Sequence, residues 1–284
     1  MWSRNKANLY IHDALADFHY DPKALLSPPK QYKMYKQKLI ATHLVGFGGG
    51  GSVPPVTTLS YSFDGTGDSL TSPDHADWTL GGGGGNFNVE FWVRFDDLGR
   101  HGWIEQNQGG TDSWSFWYHN SQGANFQVKA ASAEVVSVTQ AGVAGWSADT
   151  WYHVALIRGW SGNADDYAIT RGGVPIATAT DNTAITANTG SLEIGTDFNG
   201  PSVLNGFMDE IRISNVARKT ADFSGDLPSA EYTNDANTHL LIHCNETIVS
   251  GSTGSGATFV DSGNTGHTVT EVGNAQRDTT TYKF

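Results

Sequence analysis

Hydrophobic and polar residues alternate along most of the chain after residue 57, which is the pattern of β-strands. Over Phe87–Phe95 every second residue is apolar, so one face of this segment is hydrophobic. Trp151–Arg158 shows the same alternation. Shorter candidate strands, separated by Gly, Asn and Asp, are 125–129, 134–139, 167–170, 175–180, 190–195 and 206–214. Many short strands with turn residues between them, and no helix of ordinary length after residue 57, predict an all-β sandwich or barrel.

The first 56 residues follow a different pattern. Residues 1–46 have too few aliphatic side chains for a core of their own, and they form an extended, partly helical arm in our interpretation. Residues 47–56 contain four consecutive glycines and then two prolines, which predicts a flexible linker with a stiffer end. The domain prediction is therefore an arm at 1–46, a linker at 47–56 and a β-domain at 57–284. One short amphipathic helix is predicted from an i, i+3, i+7 spacing after Pro29, at Tyr32, Tyr35 and Leu39.

Composition excludes several classes of protein. The 284 residues include 34 Gly and 9 Pro, too many for a coiled coil or a helix bundle. A single Cys excludes an intrachain disulfide framework. No apolar run approaches the ~20 residues of a membrane-spanning helix, so we expect no membrane insertion.

The net charge of −12 is distributed unevenly. Residues 1–56 contain seven Lys/Arg and three Asp/Glu, whereas the rest of the chain contains ten and twenty-six. An acidic β-domain repels phosphate backbones, so we expect no nucleic-acid partner. The basic arm could contact an acidic surface of another protein or remain a solvated tail. Its anchoring candidates are the cations Arg4, Lys6, Lys30, Lys33, Lys36 and Lys38.

Five ordered segments carry a family resemblance. They are FDGTGDSL at 63–70, VEFWVRF at 89–95, WYHVALIR at 151–158, LEIG at 192–195 and NGFMDEIRISN at 205–215. Together they resemble the laminin-G-like, or concanavalin A-like, jelly roll of the bacterial and phage type, over about residues 58–220. The resemblance implies a two-sheet antiparallel jelly-roll sandwich. It does not imply one ligand, because this fold carries lectins, adhesins, glycanases and inert packing modules.

The C-terminal residues 238–284 contain further strand-like runs. Members of this family often carry a similar run before the Phe-Asp-Gly segment, where it forms the opening strands. Here the run comes last. It could close the sandwich of its own chain, as in a circular permutation, or complete a neighbouring subunit by strand exchange. We favour the first interpretation, because the ends of a compact domain usually lie close together.

The resemblance also implies a structural Ca²⁺ at the edge of a sheet. It points to Asp209, with the turn that contains Asp64 and Asp68 as a second source of oxygen ligands. A hard cation takes 6–8 oxygens, which acidic turns and backbone carbonyls provide. The simpler alternative is that these carboxylates cap turns by accepting backbone N–H groups.

Aromatic residues suggest glycan binding. The chain has nine Trp and ten Tyr, and sugar rings stack on aromatic faces. Trp92 lies on the opposite strand face from Phe91. The other candidates, in or beside polar, Gly-rich segments, are Trp114, Trp160 and Tyr118. The alternative for all four is packing within the β-domain, the usual role of aromatic residues in all-β proteins.

Motifs for catalysis are absent from the sequence. A retaining glucanase on this scaffold would need carboxylates spaced along one strand face, and we find no such run. Asp209 and Glu210 are adjacent, so they are expected to face opposite sides of a strand. Cys244 and the ten His show no nucleophile or zinc-ligand spacing. The sequence therefore predicts a protein that is not an enzyme, with no cofactor other than structural Ca²⁺.

The combination of a jelly roll, a basic arm and no export signal predicts a phage virion protein. No apolar segment of 7–15 residues follows the first charged residues. The expected partners are capsid, neck or tail proteins through the arm, and cell-surface glycans through the jelly roll. We expect a homo-oligomer that is made in the host cytoplasm and located in the virion. The alternative is an extracellular carbohydrate-binding adhesin of a bacterium.

Overall fold

A computed structural model describes residues 59–197, 202–245, 258–278 and 280–284. Its secondary structure is sixteen strands and three short 3₁₀ turns, at Ala76–Trp78, Leu80–Gly83 and Trp160–Gly162. In chain order the strands are β1 (Ser60–Asp64), β2 (Ser69–Ser72), β3 (Phe87–Phe95), β4 (His101–Gln108), β5 (Asp112–His119), β6 (Gly123–Ala130), β7 (Ala133–Thr139), β8 (Trp151–Arg158), β9 (Asp166–Arg171), β10 (Val174–Thr180), β11 (Leu192–Ile194), β12 (Asn205–Ser214), β13 (Thr238–Ile242), β14 (Thr258–Phe259), β15 (Val269–Val272) and β16 (Gln276–Asp278).

The strands form two antiparallel eight-stranded sheets that pack face to face. Sheet A has the order β10-β9-β8-β3-β12-β1-β16, and β13 also pairs with β12. Sheet B has the order β14-β15-β2-β11-β4-β5-β6-β7. The predicted all-β, two-sheet sandwich is therefore confirmed.

Strand β3 shows how the alternating pattern builds the core. Val89, Phe91 and Val93 are fully buried between the sheets. The residues between them, among them Glu90 and Trp92, lie on the outer face of sheet A. Their burial means that this outer face is covered as well.

A second, smaller hydrophobic cluster forms on that outer face. It joins side chains of β8 and β9 to the segment that follows β12, where Phe223 donates its N–H to the carbonyl of Gly173 at 3.1 Å. Because the segment after β12 packs on the outer face, sheet A is buried on both sides. Its buried members are Ala155, Ile157, Trp160, Ala168 and Phe223.

Strand β12 contains a bulge that divides it into two halves. Asp209 pairs with Trp92 and Arg212 with Glu90, so two residues of β12 oppose one of β3. Glu210, in the bulge, has a φ of 51°, which is rare for a residue with a side chain. On the other edge of β12, β1 pairs with the first half and β13 with the second.

Strands from residues 238–284 pair with both sheets of their own chain. β13 pairs with β12 and β16 with β1 in sheet A, while β15 pairs with β2 in sheet B. The segment thus completes the sandwich from within the chain in this structure.

The predicted arm at 1–46, with its helix and anchoring cations, and the linker at 47–56 lie outside the described residues. Within the described part of the chain, no helix is long and apolar enough to cross a membrane.

Candidate functional site

A cleft of about 360 Å³ opens beside the β9–β10 hairpin and the 3₁₀ turn at Trp160–Gly162. It brings together an indole ring, one carboxylate and several hydroxyl groups. The carboxylate of Asp166 accepts a hydrogen bond from the Thr180 hydroxyl at 2.7 Å, which orders both groups across the hairpin. The lining residues are Trp160, Ser161, Asp166, Tyr167, Thr178, Ala179 and Thr180.

The backbone of the turn at Trp160–Gly162 fixes the position of the indole. Gly159 enters the turn with a φ of 106°, and a Cβ there would lie 2.7 Å from the Asn86 side chain. Ser161, with a φ of 57°, donates its N–H to the Thr220 carbonyl at 2.8 Å. This hydrogen bond holds the turn against the segment after β12 that packs on the outer face of sheet A.

Trp160 is the only one of the four predicted aromatic candidates that lines the cleft. It is 8% exposed, because most of the ring packs against Phe223 and the rest of the outer cluster. Asp166, Thr178 and Thr180 were not singled out from the sequence. Their only signal was their location in or beside the predicted strands 167–170 and 175–180.

Trp114 and Tyr118 lie on β5 with their side chains in the core between the sheets. Both are fully buried, and the Trp114 Nε1 donates to the carbonyl of Trp78 at 2.7 Å. The Tyr118 ring packs 5.0 Å from that of Phe95. These positions contradict the prediction that the two rings bind a sugar, because both are buried in the packing role that was the alternative.

Trp92 lies on the outer face of sheet A, as the alternation on β3 predicted. It is 5% exposed, because C-terminal residues cover it. The Lys283 ammonium lies 4.1 Å from the centre of the indole ring, and the Phe284 ring packs edge-on at 5.8 Å. The tryptophan is therefore held in a cation–π and aromatic contact.

The three predicted calcium ligands do not meet at one point. Asp68 accepts backbone N–H groups from Asp64 at 3.0 Å and Asn274 at 2.8 Å, the turn-capping arrangement. Asp64 pairs with Asn205 on β12, four residues before Asp209 and thus roughly 13 Å along the strand. One ion could not be bound by all three. A structural Ca²⁺ bound by Asp209 or by the turn of Asp64 and Asp68 stays a prediction.

Beside Trp92, the outer face of sheet A contains a buried ion pair. Arg212 donates to the Glu90 carboxylate from Nε at 2.9 Å and from Nη2 at 2.5 Å. His153 Nε2 lies 3.3 Å from Glu90 and 2.9 Å from the Tyr232 hydroxyl. Burial would raise the pKa of Glu90, but the His153 hydrogen bond and the Arg212 charge outweigh it and lower the pKa to about 2.

The bulge in β12 turns both Asp209 and Glu210 toward partners on the outer face, which corrects the expectation that they face opposite sides. Glu210 accepts the Tyr232 N–H at 2.7 Å and contacts His243 Nδ1 at 2.9 Å. Asp209 accepts the Lys283 N–H at 3.0 Å. Both carboxylates are at most 2% exposed, so no polysaccharide can reach them in this structure.

Replacing Asp209 by Asn should make the protein more stable at pH 8. Burial raises the pKa of Asp209 from 3.8 to about 7. The hydrogen bond from the Lys283 N–H lowers this pKa, and the negative charge of Glu210 raises it further. A raised pKa in the folded state means that stability falls as pH rises from about 4 to 7. The full shift corresponds to at most about 4 kcal/mol.

The measurement is the melting temperature of both proteins from pH 4 to 8. The gain of Asp209→Asn should grow as pH rises, whereas Asp149→Asn, at a 74% exposed side chain, should follow the parent profile. Parallel curves for Asp209→Asn and the parent would contradict the assignment.

Comparisons with known proteins agree with this architecture. A family model for the concanavalin A-like lectin/glucanases superfamily, of the laminin G type, matches residues 64–223, more than half of the chain. A candidate carbohydrate-binding protein from Bacteroides ovatus has a similar solved structure, with a TM-score of 0.54 and 16% identity. The match covers 78% of this chain and 60% of that one. At this identity the likeness shows a shared fold alone.

Two further solved structures are similar at a lower level. A SAP-like pentraxin from Limulus polyphemus has a TM-score of 0.41 and 16% identity, over 60% of this chain and 81% of that one. Domains LG4-5 of the mouse laminin α1 chain have a TM-score of 0.43 and 12% identity, over 62% and 48%. No curated protein matches the chain.

Proposed function

This chain belongs to the concanavalin A-like lectin/glucanases superfamily, and we propose that its sandwich binds glycans and does not cleave them. The binding site is the cleft beside the β9–β10 hairpin. The observation that carries the proposal is the juxtaposition of Trp160 with the Asp166 carboxylate and the hydroxyls of Thr178 and Thr180.

The chemistry of the cleft suits a sugar. Ligand sites combine apolar contact surface with a few placed polar groups that fix orientation. A pyranose offers C–H groups to the exposed part of the indole and hydroxyls to the Asp166 carboxylate. Since the exposed indole surface is small, a single site binds weakly, and several sites on one particle or cell would add their affinities.

The number of carboxylates in the cleft supports a binding role without catalysis. Retaining glycosidases place two carboxyl groups about 5–5.5 Å apart, and inverting ones about 6.5–9.5 Å apart. Among the residues that line the cleft, Asp166 is the one acid. The adjacent acids of β12, Asp209 and Glu210, are buried under other residues.

Replacing Asp166 by Asn should weaken glycan binding about 10–100-fold, because a hydrogen bond to a charged group contributes roughly 1.5–3 kcal/mol. The same loss is expected for Trp160→Ala, with some loss of stability because the ring packs in the outer cluster. The measurement is screening on a glycan array, followed by titration calorimetry with the glycan that binds. The control is Trp117→Ala, on the other sheet.

Each outcome decides between alternatives. Binding that Asp166→Asn weakens and Trp117→Ala preserves supports the cleft. If all variants bind the glycan like the parent, the glycan site is not the cleft. Release of reducing ends from any polysaccharide would contradict the non-enzymatic assignment.

At a finer level, we propose that the sandwich is displayed on a phage virion and anchored through residues 1–46. The support is the excess of basic residues in that segment, the Gly/Pro-rich linker after it and the acidic β-domain. Density-gradient fractionation with mass spectrometry tests this proposal. Sedimentation with particles at fixed stoichiometry supports it, and fractionation with cell envelopes favours the bacterial adhesin instead.

A further inference from the structure

A cluster of metal-ligand side chains lies at the rim of the sandwich, away from the cleft. It consists of His75 and Asp77, at the 3₁₀ turn after β2, and His267, in the loop between β14 and β15. We call it the His–Asp–His cluster. One potential ligand atom from each residue lies within 4.8 Å of the other two.

Two of the three distances between ligand atoms in the cluster are close to those of tetrahedral coordination. His267 Nε2 lies 3.0 Å and His75 Nδ1 3.3 Å from the Asp77 Oδ2. Zinc binds His nitrogen and carboxylate oxygen at about 2.0–2.2 Å, so neighbouring ligand atoms of a tetrahedron are about 3.3–3.5 Å apart. His239 Nδ1, on β13, lies 3.6 Å from the other carboxylate oxygen, Asp77 Oδ1, and is not a member of the cluster.

The surrounding residues hold the cluster in place. Thr265 donates its hydroxyl to Asp77 Oδ2 at 2.8 Å. Asp261 accepts the N–H of His267 at 2.7 Å and thereby orders the loop. The His267 ring lies 4.2 Å from that of Trp78, which is fully buried. Such outer contacts, which orient the ligands, are typical of metal sites.

His75 has the most exposed side chain of the three residues in the cluster. Its Nδ1 accepts the Asp77 N–H at 3.2 Å, and its side chain is 43% exposed. A metal ion bound at Nδ1 would replace this hydrogen bond at a partly exposed side chain. Two imidazoles and one carboxylate are the donor set of zinc and similar divalent transition metals rather than of calcium.

We propose that His75, Asp77 and His267 bind one divalent transition-metal ion of the zinc type, which ties the C-terminal loop to the turn after β2. The ion joins residues that are about 190 positions apart in the chain. This metal site is separate from the proposed glycan site. The role of the ion is structural, because the ion links the C-terminal segment to the start of the sandwich.

The test uses the full chain without an affinity tag, freed of metal by a chelator, and Zn²⁺ as the probe. Titration should show one Zn²⁺ site per β-domain. At a free concentration about 100 times its Kd, Zn²⁺ should raise the melting temperature by roughly 5–10 °C. His75→Gln and His267→Gln should each weaken that site by about 100-fold or more, since even an outer-contact change costs 10–100-fold.

The matched control is His119→Gln, at a histidine that contacts Ser121 at the end of β5, three strands from β2 in sheet B. It should bind Zn²⁺ like the parent. His75→Gln changes a partly exposed side chain, so it separates metal binding from folding. The proposal is overturned, and a hydrogen-bonded cluster only is left, if the parent fails to bind Zn²⁺ or if His75→Gln and His267→Gln both bind it as tightly as the parent.

Discussion

A chain that lacks residues 238–284 should fail to give a soluble, cooperatively folded monomer. The deletion removes strands from both sheets and exposes the edges of β12, β1 and β2, and unpaired edges favour aggregation. Loss of a large buried apolar side chain costs about 2–5 kcal/mol, and domains are stable by about 5–15 kcal/mol in total. The deleted members of the main core are Leu240, Ile242, Cys244, Phe259, Val269 and Ala275.

A circular permutant provides the control for this deletion. β16 pairs beside β1, with Asp278 opposite Ser60, so the strands that the permutant connects are already neighbours in sheet A. Moving 238–284 in front of residue 57 should restore a soluble monomer in size-exclusion chromatography and a cooperative thermal transition. A truncated chain that is already monomeric, with an unchanged melting temperature, would contradict the closing role of the segment.

Replacing Arg212 by Met should destabilise the protein by about 3–5 kcal/mol, which is the usual cost of removing one partner of a buried ion pair. Arg212 and Glu90 face each other across β12 and β3, with side chains 11% and 6% exposed. Methionine keeps an aliphatic chain beside the Tyr232 ring, over which the guanidinium lies at 4.0 Å. The expected loss is therefore that of the charge, measured by urea denaturation.

Two further variants separate charge from packing. The double variant Glu90→Met/Arg212→Met removes both charges and should recover most of the lost stability. Lys219→Met breaks an exposed ion pair with Asp226 and should leave the denaturation midpoint unchanged. A double variant as unstable as Arg212→Met would show that packing, not the unpaired carboxylate, is responsible.

The pH dependence gives an independent check. The lowered pKa of Glu90, about 2 against 4.5, means that its contribution is complete above pH 4.5 and is lost as pH falls toward 2. Without Arg212, the buried Glu90 takes up a proton more readily. The gap between Arg212→Met and the parent should therefore narrow in acid.

The strands with the strongest alternation were predictable from the sequence. Phe87–Phe95 and Trp151–Arg158 have the predicted bounds, because one apolar face of each meets the core. By contrast, β5 was missed. Its polar positions Ser113 and Ser115 alternate with fully buried Trp114 and Phe116. That period-two pattern contained the information that Trp114 is a core residue, but aromatic content suggested a sugar platform instead.

Other parts of the site could not be derived from one sequence. The polar pair Glu90 and Arg212 lies on the outer face of sheet A and is buried by a distant segment. The His–Asp–His cluster combines His75 with His267, which no spacing rule connects. The bulge at Glu210 reverses the alternation on which the Asp209–Glu210 prediction depended. Each case depends on contacts between residues that are far apart in the chain.

The pairing of β16 with β1 also determines when the protein can fold during synthesis. Ser60 can pair with Asp278 only after the intervening chain has been synthesised, which takes roughly 10–40 s at ordinary rates of translation. The hairpins β4–β7 are local and can form early. The edge of β1 stays open until β16 has been synthesised, so sheet A closes only after all of its other strands have been made.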